Sequence, residues 1–244
     1  MTKSLYHDDS YLTEFDSRIV SICNGGKEVV LAETTFYPEG GGQPCDTGTL
    51  EINDKTYNVI SVRSVGETVY HCVDEILPSD LPETTVVHGR VDESRRQYHR
   101  RHHTALHLLN AAVLKFFNAK VTGGQVGTPY EHSRHDFELD NGLSSEERTA
   151  LESWVNQVIK ENHPVITRIF TEAESKQIPH FCRTVNVHFP KTKEGGIRGV
   201  EIPGIDIQAC GGTHVRNTGE IGTFKILKID NKGRNLRRIK ITLD

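Results

Sequence analysis

Two pairs of side chains carry the chemistry in this sequence: His103 and His107 in His-Thr-Ala-Leu-His, then Cys210 and His214 in Cys-Gly-Gly-Thr-His, about a hundred positions downstream. On an α-helix, residues four apart stand on one face about one turn from each other, so the first two imidazoles can reach a common point. The second pair encloses two glycines and a threonine, a run that turns tightly and exposes backbone amides. Read together, the pairs offer three imidazoles and one thiolate, a ligand set zinc accepts in tetrahedral geometry. A lone His-x-x-x-His also arises from two unrelated histidines, and four protein ligands are equally the pattern of a closed structural zinc. His99 continues the same helical face but could ligate only by displacing another member, so it is expected to flank the site or meet phosphate. The first motif holds no glutamate, and the absent His-Glu-x-x-His counts against a peptidase.

The elements that must position these residues fall into two patterns. Over the first ninety or so residues, short β-rich segments alternate with turn signals, predicting strands over 19–23, 28–32, 49–52, 56–63, 68–73 and 85–91 and a small β-barrel. After Asp92 the period changes. Ser94 and Gln97 are spaced as a capping box for a helix running to about Phe117, with Leu106, Leu109, Ala112, Val113 and Phe116 as its apolar face. A second box, Ser144 and Glu147, opens a helix whose stripe of Leu151, Trp154, Val155, Val158 and Ile159 is core, and Pro164 ends it. Further strands are expected over 120–126, 135–139, 165–170, 184–189, 222–229 and 236–243, with helices packed on an antiparallel or mixed sheet. The expected class is α+β: residues 1–91 as an N-terminal small β-barrel domain with a glycine-rich loop, then residues 92–244 as an α/β zinc-binding domain.

The motifs resemble a known family. His103-Thr104-Ala105-Leu106-His107-Leu108-Leu109 and Cys210-Gly211-Gly212-Thr213-His214-Val215, followed by Thr218-Gly219-Glu220-Ile221-Gly222, are similar to the editing domain of alanyl-tRNA synthetases. Phe36-Tyr37-Pro38-Glu39-Gly40-Gly41-Gly42-Gln43-Pro44-Cys45-Asp46-Thr47-Gly48 resembles the glycine-rich segment preceding that domain, and the three motifs follow in the same order. A chain of 244 residues leaves no room for amino-acid activation and tRNA-recognition domains. The expectation is therefore a free-standing alanyl-tRNA editing protein of the two-domain AlaX type. That resemblance implies a zinc-dependent aminoacyl-tRNA deacylase acting in trans on Ser-tRNA(Ala), with Gly-tRNA(Ala) as a further substrate, to maintain translation fidelity. The alternative is a non-catalytic zinc-containing tRNA-binding or regulatory module.

The resemblance also implies where substrate is met. Relatives select substrate in a cavity beside zinc and on segments equivalent to residues 122–127, which puts Thr122 and Gln125 forward as partners for a seryl hydroxyl or the terminal adenosine. Gly41, Gly42 and Gln43 could offer amides to phosphate or the acceptor end, or could simply turn the chain. That loop lacks the Gly-Lys-Ser/Thr ending of a nucleotide-binding loop, so ATP is not expected. A net charge of −4 does not favour RNA, but Arg95, Arg96, Arg100 and Arg101 precede or enter the histidine helix, and Arg237 and Arg238 lie in a basic C-terminal segment. Of these, Arg95, Arg100, Arg101, Arg237 and Arg238 are the expected tRNA contacts, the other reading being a solvated charged face. Five cysteines at irregular spacing, with no export signal and no membrane-length apolar run, suggest a cytoplasmic protein with mostly buried free thiols.

Overall fold

The computed structural model describes residues 1–128, 131–183 and 195–244, so the strand expected over 184–189 lies outside the described residues. Two compact units appear, Met1–Tyr98 and His99–Asp244.

In the first unit the strands are β1 (Lys3–Ser4), β2 (Glu14–Cys23), β3 (Glu28–Leu31), β4 (Glu33–Thr34), β5 (Gly48–Ile52), β6 (Lys55–Val65), β7 (Thr68–Val73) and β8 (Val86–Val91). Six of them close a barrel in the order β2-β3-β7-β6-β5-β8, and β1 and β4 form a short parallel pair. Alternation builds it: β7 turns Val69, His71 and Val73 inward, and β8 turns in Val87, Gly89 and Val91. Val69, Val73, Val87 and Val91 join Phe15, Ile19, Leu31, Phe36 and Leu50 in one core. Gly89 leaves room for the Phe15 ring, which a Cβ there would strike. β2 starts five residues before the strand predicted at Ile19, because Phe15 and Ser17 continue its inward face between exposed Glu14, Asp16 and Arg18.

Two polar groups inside this unit are fully engaged. His71 is buried, its Nδ1 3.1 Å from the Val29 carbonyl and its Nε2 2.8 Å from Thr34 Oγ1. Burial lowers its pKa to about 4, so the ring is neutral, donating from Nδ1 and accepting from Thr34 at Nε2. The glycine-rich loop is pinned by a buried ion pair. Gly40 and Gln43 exchange both backbone hydrogen bonds, at 3.1 and 2.9 Å, across Gly41 (φ +57°) and Gly42 (φ +80°). Two consecutive left-handed positions require glycine. Further on, Asp46 accepts the Tyr37 N–H at 2.6 Å and is gripped by Arg96, whose Nη1 and Nη2 also donate to the Ser10 and Thr35 carbonyls at 2.9 and 2.6 Å. Both charged side chains are fully buried.

The helix α1 (Glu93–Phe117) starts one residue before Ser94. Its cap is Asp92, whose Oδ1 accepts the Arg95 N–H at 3.1 Å, so the predicted Ser94–Gln97 box is not the cap. The second unit holds the rest of α1, then β9 (Val121–Gln125), β10 (Ser133–Glu138), α2 (Ser145–Glu161), β11 (Ile166–Phe170), α3 (Glu172–Gln177), β12 (Ile197–Ile202), β13 (Asp206–Ala209), β14 (Phe224–Gly233) and β15 (Leu236–Leu243). The Ser144–Glu147 capping box of α2 is present as predicted, and Asn162 closes the helix in the left-handed region. One antiparallel sheet runs β14-β15-β10-β9, and its Phe137, Ile226, Ile239 and Ile241 share a core with Leu106, Leu108 and Leu109 of α1 and Leu151, Val155 and Val158 of α2. Each fully buried leucine contributes ~1.5–3 kcal/mol. Phe116 departs from the predicted apolar face: it is 45% exposed and stands edge-on to Trp154. The smaller sheet, β11-β12-β13, was not anticipated beyond β11, nor was α3. No helix among the described residues is long and apolar enough to cross a membrane.

Two outcomes follow for the first unit. Arg96→Ala strands a buried carboxylate and is expected to cost about 3–5 kcal/mol of stability in urea unfolding, much of it recovered when Asp46→Leu is added to Arg96→Met. His71, neutral in the fold, is protonated first in the unfolded chain, so stability present above pH ~6.5 falls as pH drops toward 4, by on the order of 3 kcal/mol. Unfolding at pH 7 and pH 5 checks this: His71→Gln should lose less than the parent, and equal losses would contradict the assignment.

Candidate metal centre

The C-terminal half of the site is placed by a hairpin. β12 and β13 pair antiparallel from Gly199↔Ala209 to Ile202↔Asp206, turning at Gly204 (φ +75°), and β13 ends one residue before Cys210. Arg198, on β12 and 9% exposed, then secures the turn: its Nη1 donates to the Cys210 carbonyl at 2.7 Å and the Gly212 carbonyl at 3.1 Å. The Cys210 N–H returns a bond to the Arg198 carbonyl at 3.1 Å. The first pair is placed by α1, where His103 and His107 stand one turn apart with ring centroids separated by 5.2 Å.

The two pairs meet. Donor atoms of His103, His107, Cys210 and His214 lie within 4.8 Å of one another, and all four residues are buried. Cys210 Sγ is 3.2 Å from His214 Nε2 and 3.5 Å from His103 Nε2. A tetrahedral zinc with bonds of about 2.3 Å to sulfur and 2.0–2.1 Å to nitrogen spans sulfur–nitrogen edges of about 3.6 Å, so the donors are already near the required spacing. The His214 ring lies 4.4 Å from that of His103 and 4.5 Å from that of His107.

Electrostatics suits a cation better than protons. Burial, reinforced by neighbouring cationic groups, lowers His103 to about 3 and drives His107 and His214 well below the ordinary histidine range, so all three rings are neutral at neutral pH and each keeps one unprotonated nitrogen. Burial pushes the Cys210 thiol up, opposed by the Arg198 charge and by the Gly212 N–H, 3.4 Å from Sγ. Metal binding would therefore expel the thiol proton. His107 Nδ1 has no hydrogen-bond partner among the described residues and faces Asp206 Oδ2 at 4.0 Å. Asp206 is itself held by Arg183 and by the Gln208 amide, each at 2.5 Å, and Asn110 donates to Gln208 at 3.1 Å. Burial raises the Asp206 pKa against the pull of Arg183.

His99 is buried on α1 outside the four-donor cluster. Thr122 and Gln125 are half-buried on β9; Thr122 donates to the Asp136 carbonyl at 3.3 Å, and Gln125 Oε1 accepts from Arg134 at 2.9 Å. Between them, Gly124 lies against the His135 ring, which a Cβ would strike. Burial lowers the His135 pKa to about 4, so this ring too is neutral at neutral pH. Gly41, Gly42 and Gln43 belong to the first unit; the two glycines are exposed and Gln43 is buried.

The arginines mostly turn inward. Arg100 and Arg237, both expected to contact tRNA, are 2% and 7% exposed. Arg237 spends its guanidinium on the Gly233 and Asp140 carbonyls, at 2.9 and 3.1 Å, and on Asn231. Arg238 grips Asp136 at 2.7 and 2.8 Å. Arg95 and Arg101 keep partial exposure while donating to the Cys45 and Ile221 carbonyls, both at 2.9 Å. Of the cysteines only Cys210 is buried, and Cys182 is exposed, against the expectation of mostly buried thiols.

Missed by sequence reasoning were Arg198, Asp206 and His135. The run Ile-Arg-Gly-Val-Glu-Ile-Pro-Gly carries a hairpin signal that could have found the first two. Replacing Arg198 by Met is expected to loosen the Cys210 turn and weaken zinc binding about 10–100-fold. Competition against a chromophoric chelator reads this out, and an unchanged zinc affinity would remove Arg198 from the support of the site.

Comparison with known proteins follows the same two-part layout. The family described as "Threonyl and Alanyl tRNA synthetase second additional domain" matches residues 197–240, and "tRNA synthetases class II (A)" matches residues 10–95. The chain is 39% identical over 251 residues to the alanyl-tRNA editing protein AlaX-M of Methanosarcina acetivorans, covering 100% of this chain and 99% of that protein. Its counterpart in Methanosarcina barkeri is 38% identical over 247 residues, with the same coverage. The alanine–tRNA ligase of Thermococcus kodakarensis is 36% identical over 246 residues, and the chain spans 25% of that ligase's length. Near-complete mutual coverage, together with the buried His-His-Cys-His cluster, places this chain in the AlaX-M family of alanyl-tRNA editing proteins.

Proposed function

We propose that the chain is a trans-editing hydrolase that deacylates Ser-tRNA(Ala), with Gly-tRNA(Ala) as a second substrate and Ala-tRNA(Ala) largely spared. The observation that carries this reading is the convergence of His103, His107, Cys210 and His214 in a full-length relative of proteins named for alanyl-tRNA editing. Those four residues would hold zinc, which when bound supplies a Lewis acid able to acidify water, polarise the ester carbonyl or hold the substrate amine. Their neutral imidazoles and their spacing fit the ion.

The bond to be cleaved joins an amino acid to the terminal ribose of tRNA, an ester more reactive than an amide, with water as nucleophile. Hydrolysis of such an ester is downhill and needs no ATP. Selection of serine over alanine rests on Thr122 and Gln125, the Gln125 side chain being held through its carbonyl oxygen by Arg134. A site whose polar groups pair with a hydroxyl rejects an analogue lacking it more strongly than a pocket can reject by size alone. Serine is therefore the principal target. Each unit by itself offers tRNA contacts: in the first, the partly exposed Arg95 and the backbone amides of Gly41 and Gly42, and in the second, the partly exposed Arg101 and the exposed Lys232 and Arg234. Five free cysteines suit a reducing compartment, and the protein is assigned to the cytoplasm, where charged tRNA is consumed.

Purified protein assayed on Ser-tRNA(Ala), Gly-tRNA(Ala) and Ala-tRNA(Ala), with and without a strong zinc chelator, tests the proposal. Expected are rapid loss of the seryl ester, little loss of the alanyl ester, and at least a hundredfold drop in rate on verified removal of zinc. Full activity of metal-free protein would refute the metal's role, and no hydrolysis by zinc-loaded protein would favour a non-catalytic tRNA-binding module.

A further inference from the structure

Thr104 sits between the two histidines of α1 and is completely buried. Its hydroxyl has three polar neighbours: the Arg100 carbonyl at 2.8 Å, His214 Nδ1 at 3.1 Å and the Val215 backbone N–H at 3.2 Å. A threonine hydroxyl has one proton to give and two lone pairs to fill. The Val215 N–H can only donate and the Arg100 carbonyl can only accept. The bond to His214 is the open one, and its direction fixes which ring nitrogen carries the proton.

In one arrangement the hydroxyl donates to Arg100 and accepts from both Val215 and a protonated His214 Nδ1, so its one donor and both acceptor sites are used. His214 Nε2, 3.2 Å from Cys210 Sγ, then presents a lone pair to the cluster. In the other arrangement the hydroxyl donates to Nδ1, its contact with Arg100 is lost, and Nε2 carries a proton that points at the sulfur and blocks ligation. Only the first arrangement is compatible with a cation among these donors.

We propose that Thr104 is a positioning residue that holds the His214 ring as the Nδ1–H tautomer, with Nε2 turned to the metal, while tying α1 to the end of the Cys210–His214 turn through Val215. The inference rests on the zinc reading of the four donors and deepens it. By contrast the buried Ser133 hydroxyl, 2.9 Å from His102 Nδ1 and 2.8 Å from the Gly127 N–H, bonds to none of the four donors in these contacts.

The test compares zinc affinity of the whole chain as parent, Thr104→Ser and Thr104→Val, by competition with a chromophoric chelator. Valine matches the shape of threonine and leaves two buried N–H groups unpaired. Thr104→Val is expected to bind zinc about 10–100-fold more weakly, with Thr104→Ser within about threefold of the parent. Histidine-labelled nitrogen-15 NMR of the zinc-loaded parent gives a reading that needs no variant: His214 should show a protonated Nδ1 and a metal-bound Nε2. Parental affinity in folded Thr104→Val, equal weakening in Thr104→Ser, or a protonated Nε2 on His214 would each overturn the role of Thr104 while leaving the zinc site standing. Failure of the parent itself to bind zinc would instead overturn the underlying reading.

Discussion

Three imidazoles and a thiol packed together without solvent form an arrangement that apolar packing alone does not reward. Each buried polar group must find a partner or carry an unrecovered desolvation cost. Here the partners are arranged on the outer side of the ring of donors. Arg198 holds the carbonyls of the Cys210 turn, Thr104 meets His214, and Asp206 faces His107. The inner nitrogen and sulfur atoms are left pointing at one another, within 4.8 Å. Donors gathered in this way fit a metal cation, and the surrounding fold is arranged to deliver these atoms to one place.

Delivery uses two independent pieces of backbone. α1 brings its histidines on a helix whose middle is buried on nearly every side, with Ala105, Leu106, Leu108, Leu109, Ala112 and Val113 in the core. Such a helix cannot rotate or slide without losing packing, so the positions of His103 and His107 are fixed by the apolar residues around them. The β12–β13 hairpin brings Cys210 at the end of a strand, and the following turn returns His214 to the helix, where Val215 donates to Thr104. In the first unit a similar logic operates with charge in place of metal donors: Arg96 and Asp46 hold the glycine-rich loop to the start of α1.

What could be read from sequence was whatever depends on local pattern. Alternation gave the barrel strands, the Ser144 to Glu147 spacing gave the start of α2, and the paired motifs gave the four donors. Local rules also misled where two signals competed: Asp92 outcompeted Ser94 as cap because it precedes the first helical residue, and Phe116 pairs with Trp154 at the surface instead of joining the core. Thr171 and Glu174 carried a capping-box signal for α3 that went unused. The arginines were illegible for a different reason. A guanidinium looks the same in sequence whether its residue is exposed, as Arg234 is, or is consumed by carbonyls, as in Arg237, and only tertiary structure decides. Arg198, Asp206 and His135 act through neighbours remote in sequence and have no local signature of their own.

The central claim is that one sulfur and three imidazole nitrogens from these two backbone segments share a single zinc ion. X-ray absorption at the zinc edge on the zinc-loaded protein addresses it directly. The account predicts one sulfur at about 2.3 Å and three nitrogens at about 2.0–2.1 Å, with the sulfur contribution lost in Cys210→Ser. A first shell of oxygen and nitrogen only, or a sulfur contribution that survives in Cys210→Ser, would contradict it.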